Sequence, residues 1–76
     1  MKAIYIEWND ACTSEGWLNA EEDAFNTSKI ITVGFLVEEN SEQIVISASH
    51  SETTGNVLSV TVIPKGWIRK RRNIKL

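Results

Sequence analysis

Short runs rich in Ile, Val and Thr, each cut off by a cluster of turn-forming residues, are what most limits the fold of this chain. In residues 2–8, Ile4, Ile6 and Trp8 alternate with Ala3, Tyr5 and Glu7, the period-two pattern of a half-buried strand. Residues 29–38 (KIITVGFLVE) form the longest apolar run, and their β-branching decides for strand over helix. Gly34 inside that run marks a bulge or a sharp bend. Residues 43–49 return as a strand with Ile44, Ile46 and Ala48 inward, and Val45 towards a second covered face. Residues 57–63 follow with Leu58, Val60 and Val62 on one face. Residues 39–42 (ENSE) read as a hairpin turn, and 50–56 as a polar loop turning at Gly55 and Asn56. Pro64, Lys65 and Gly66 break the fourth run through one turn of 3₁₀ helix, and residues 68–74 make the last strand.

Between the first two runs the periodicity is lost. Asn9, Asp10, Thr13, Ser14 and Gly16 favour turns, and residues 20–25 are too short to hold a helix alone. The expectation for 9–26 is a long loop pinned by Trp17, Leu18 and Phe25. Five short strands in one 76-residue domain, 1–76, predict an all-β fold. A small closed or partly closed barrel is the expected form, because closure removes exposed strand edges. One cysteine and one histidine exclude an internal disulfide and a His/Cys zinc set, and no cofactor is expected. Stability must then come from a dense core, from self-association, or from both. The N-terminal residues lack a signal-peptide pattern, and no apolar run approaches a membrane span of about 20 residues. The cytoplasm, with no membrane contact, is the expected location.

The net charge of −2 conceals a strong asymmetry. Residues 1–52 hold ten acids and two bases, a net of −8, and residues 53–76 hold six bases and no acid, a net of +6. Such a split points to an anionic partner for one face, or to homo-oligomers that set a basic face against an acidic one.

No catalytic constellation stands out. Glu21, Glu22 and Asp23 are neighbours in sequence, which rarely converge on one bond or water, and acids suit a helix start. Glu7 and Asp10 are too few ligands for a hard cation. Cys12 and His50 fall in different loops, and no basic neighbour lowers the thiol pKa. The glycines are too scattered for a phosphate loop.

The last strand is the best binding candidate. In an extended chain Trp67, Arg69, Arg71, Asn73 and Lys75 share one face, and Ile68, Lys70, Arg72, Ile74 and Leu76 the other. Arginine offers a planar fork to phosphate, and tryptophan offers a stacking surface to a base. The predicted ligand-binding residues are Trp67, Arg69, Arg71 and Lys75, with Trp17 as a second aromatic from the loop. The same stripe also suits a charged edge strand that blocks aggregation, or one that pairs with the chain's own acidic loops. Trp8 has the parity of Ile4 and Ile6 and belongs to the core.

The long loop after strand one, the three-stranded meander and the 3₁₀-like turn at Ile63, Pro64, Lys65, Gly66 and Trp67 resemble an SH3-like barrel. The aromatic ladder of peptide-binding SH3 domains is absent, so no proline-rich ligand is carried over. The wider layout has Trp8, Asn9, Asp10, Gly16 and Trp17 in front, VGFLV at 33–37 in the middle and Ile63, Pro64 and Lys65 behind. It resembles small accessory proteins of bacteriophages and prophages. That resemblance implies a non-enzymatic protein in the host cytoplasm, aimed at a host target. The expected function is sequestration of an anionic small molecule, such as a signalling nucleotide, or of a host protein. The alternative is a nucleic-acid-binding barrel using the basic strand, which the acidic overall charge disfavours.

Overall fold

Five strands form where the alternating runs predict them. They are β1 (Ala3–Asp10), β2 (Ser28–Glu39), β3 (Gln43–His50), β4 (Val57–Pro64) and β5 (Ile68–Ile74), with a 3₁₀ turn at Lys65–Trp67. The structure is a computed structural model that describes residues 1–11, 16–21 and 25–76. All neighbouring strands are antiparallel, in the order β4-β3-β2-β1-β5.

The expected closed barrel is not formed. The sheet is open, and β4 and β5 are its two edges. It is nevertheless strongly curled, for a geometric reason. Edges of a flat five-stranded sheet lie about 19 Å apart. The chain passes from the end of β4 to the start of β5 through the three residues of the 3₁₀ turn, a reach of at most about 14 Å. The edges must therefore approach each other at that end.

The corner of the curl is in β2. Residues 28–35 pair with β1, and residues 35–39 pair with β3 across a bulge between Leu36 and Glu38. Gly34 sits at this changeover, with the Ser47 carbonyl and the Ile46 side chain where its Cβ would be. The sheet thus folds into two halves that share one core. Ile4, Ile6 and Trp8 come from β1, and Ile44, Ile46 and Ile63 from β3 and β4. Trp8 joins this core as its parity predicts, and its indole N–H donates to Thr32 Oγ1 at 2.9 Å.

Two expectations fail against this packing. Ala48 is exposed, not inward. Trp17, Leu18 and Phe25 are exposed, so they do not pin the loop after β1 onto the sheet. In β4, Leu58, Val60 and Val62 are exposed, and the buried residue is Ile63. The reading of residues 20–25 as too short for a helix falls partly outside the described residues. Among the described residues, no helix is long and apolar enough to cross a membrane.

The turns are closed locally. Asn40 Oδ1 accepts from the Glu42 and Gln43 N–H groups at 2.8 and 3.0 Å, which sets the β2–β3 hairpin. Gly55 takes a φ of 79° in the β3–β4 loop, where its N–H donates to the Ser51 carbonyl at 2.8 Å.

Candidate functional site

The site is built where β1 ends and β5 begins. β1 and β5 pair in regular antiparallel register from Ala3–Ile74 to Glu7–Lys70, and then Trp8 pairs with Ile68. Arg69 is the extra residue of a β-bulge at that step. A bulge reverses the facing of the residues on one side of it relative to the other. Ile68 lies opposite the core residue Trp8, and Arg71 and Asn73 lie opposite the core residues Ile6 and Ile4.

The continuous cationic stripe expected from strict alternation is therefore divided. Arg69 pairs with Glu7 at 3.5 Å, and Arg71 pairs with Glu39. Paired residues of a ladder share a face. Glu7 lies opposite Ile31 on the outer side, and Glu39 lies opposite the buried Ile44 on the core side. The two arginines thus meet carboxylates on opposite sides of the sheet.

Arg71 is fully engaged. Its Nη1 and Nη2 donate to the two oxygens of Glu39 at 2.7 and 3.4 Å. Lys65 reaches the same carboxylate at 2.8 Å. The hydrogen bond from Arg71, then that from Lys65, holds the Glu39 carboxyl down to about 2. Arg69 is held more loosely, at a distance beyond the roughly 2.7–2.9 Å of a hydrogen-bonded ion pair. Its partner Glu7 also accepts a 2.9 Å hydrogen bond from the Tyr5 hydroxyl. That bond chiefly raises the Tyr5 pKa, with desolvation and the Glu7 charge adding to it.

Beside Arg69 the structure opens a cleft of about 390 Å³. It is lined by Asn9, Ala11 and Thr27 together with Gly66, Trp67, Ile68 and Arg69. Trp67 is 43% exposed, and its ring stacks on Trp8 with centroids 6.5 Å apart and planes 17° from parallel. Trp8 is packed in the core, so the stack fixes the exposed ring of Trp67. The Oδ1 atom of Asn9 is buried and accepts no hydrogen bond.

Of the predicted site residues, the cleft brings Trp67 and Arg69 together. Arg71 is tied to Glu39 on the core side, Lys75 lies beyond the end of β5, and Trp17 is exposed in the loop, outside the cleft lining. Asn9 and Thr27 are the residues that the sequence reading missed. Asn9 stands at the end of a strand in a cluster of turn formers, and only the pairing with β2 and β5 sets it beside Trp67. Cys12 lies outside the described residues. Among the described residues, no three His, Cys, Asp or Glu side chains gather as a metal-binding group. No protein-family model, curated protein or solved structure matches this chain.

Proposed function

We propose that the protein is a non-enzymatic binding protein whose cleft takes a small anionic ligand with a planar ring, of the signalling-nucleotide kind. The observation that carries this reading is the Trp67 ring, backed by Trp8 and half open to the cleft, with Arg69 beside it. Trp67 offers a stacking face to a base. Arg69 offers guanidinium N–H groups to a phosphate, since its contact with Glu7 is long. Asn9 also lines the cleft, and its buried, unpaired Oδ1 is an acceptor that a ring N–H would satisfy once the side chain turns towards the ligand.

The strand order, the long loop after β1 and the 3₁₀ turn support reading the sheet as an opened SH3-like arrangement. The resemblance to phage accessory proteins supplies a context, in which the ligand is a host molecule held out of circulation. A nucleic-acid role is the weaker alternative. The overall charge is −2, and Arg71 and Lys65 share the Glu39 carboxylate, so the basic strand is a short track for successive phosphates.

Thermal unfolding with ATP, cyclic di-GMP and ADP-ribose tests the proposal. A bound nucleotide at about a hundredfold above its Kd raises Tm by about 11–22 °C in a domain of this size. Arg69→Gln and Trp67→Ala are expected to abolish the rise, and Arg72→Gln to keep it. A rise untouched by both cleft variants would place the ligand elsewhere. DNA binding that weakens steeply with salt, with no nucleotide response, would favour the alternative.

A further inference from the structure

We propose that β4 is the seam of a homodimer, pairing antiparallel with β4 of a second copy. The two edges of the sheet differ sharply. β5 carries four consecutive cations, Arg69, Lys70, Arg71 and Arg72, and two such strands side by side repel each other. β4 (VLSVTVIP) has no charged residue at all. Its outward-directed backbone N–H and C=O groups are an open template for another strand. Leu58, Val60 and Val62 are 68%, 49% and 51% exposed along it, and Val62 lies opposite the half-buried Val45 of β3.

The size of the exposed surface fits a missing partner. A compact folded chain of 8.6 kDa exposes about 4,700 Å². This chain exposes 5936 Å², and its radius of gyration is 15.8 Å against about 11 Å for a compact domain of its length. A standard interface buries about 800 Å² on each partner, less than that excess. Among the described residues, the exposed large apolar side chains include Trp17, Leu18 and Phe25 after β1 and the row Leu58, Val60 and Val62 of β4.

The stretch that pairs is the second half of the strand. Ser59 has a φ of 57° and interrupts the regular edge. Residues 60–63 beyond it keep the regular edge, with Val62 near their centre, so the two-fold axis passes near Val62, and Pro64, which has no N–H, ends the seam. An isologous seam of this kind closes at two copies, whereas β4 pairing with β5 would propagate head to tail. The seam is independent of the ligand reading, because β4 contributes no residue to the cleft.

Sedimentation velocity over a dilution series is the test. The wild-type chain is expected to sediment as a dimer. Val62→Lys sets two cations against each other at the axis and is expected to weaken the dimer by about tenfold or more. Its far-UV circular dichroism should stay native, since Val62 is exposed. Ile31→Lys, an equally polar change on exposed β2, is expected to leave the dimer intact. A wild-type monomer at every concentration would overturn the proposal. So would a dimer that survives Val62→Lys but dissociates on Arg72→Glu, which would assign the contact to the basic edge.

Discussion

Gly34 shows how one residue can set the curvature of the whole sheet. Its missing side chain lets β3 come close at the point where β2 changes from pairing with β1 to pairing with β3. A methyl group there would meet the Ser47 carbonyl oxygen, which belongs to the backbone and has no rotamer to escape into. Gly34→Ala is therefore expected to cost about 3 kcal/mol, the upper end of overpacking penalties. Urea unfolding measures it, and a loss within about 0.5 kcal/mol would show that the corner is more compliant than this packing implies. The glycine was legible in the sequence as a bend, because a glycine inside a β-branched run has few other uses. What the bend brings together was not, since Ser47 and Ile46 lie on another strand.

At the scale of elements, the curl is held by a three-residue ionic cluster. Lys65 in the 3₁₀ turn and Arg71 in β5 converge on Glu39 near the end of β2. The Lys65 N–H also donates to the Glu42 carbonyl at 2.8 Å, tying the same turn to the β2–β3 hairpin. These contacts link the β5 edge to the far half of the sheet without strand pairing, so the sheet is curled yet open. The Glu39 side chain is 30% exposed, so water and salt screen the cluster. Its pH dependence still has a definite sign. The Glu39 carboxyl is held at about 2 in the folded chain, against an ordinary value of 4.5. The stabilisation is fully present above about pH 4.5 and is lost as the pH falls towards about 2. Between these limits, Tm of the wild-type chain should fall more than that of Glu39→Gln, and the gap between the two should narrow. Parallel curves for the two proteins would show that the cluster adds nothing to the fold.

The same elements show where sequence reading stops. Strand existence and the parity of Ile4, Ile6, Trp8, Ile44 and Ile46 were legible, because burial on one face imposes a period of two. The bulge at Arg69 was not. Nothing in IRKRRNI marks it, and it exists only in the pairing of β5 with β1. The alternation of Leu58, Val60 and Val62 reveals a shared face, but the same alternation appears whether that face meets a core, solvent or another chain.

For the molecule as a whole, the question is whether two sheet halves behave as one domain. Among the described residues, the core they share is small, six buried side chains with Ile30, Leu36 and Ile68 packed against it. A domain of this length has a total stability of about 4–11 kcal/mol. Ile6 belongs to the half built on β1, and Ile63 to the half built on β4, and both are fully buried. Replacing a buried isoleucine with alanine costs about 2–5 kcal/mol. Because the two side chains meet in one cluster, Ile6→Ala and Ile63→Ala should each lower the stability of the entire domain. Far-UV circular dichroism, which follows all five strands, and the fluorescence of a Trp17→Phe background, which reports core Trp8 and the Trp67 stacked on it, should then show one coincident transition in each variant. A Ile63→Ala protein that loses β3 and β4 while the Trp8 signal stays native would show that the halves unfold separately. The curl would then be a docking of two independent units. The three-residue passage from β4 to β5 argues against that outcome, since β4 cannot leave the core without pulling on the 3₁₀ turn and on Trp67, which is stacked against Trp8.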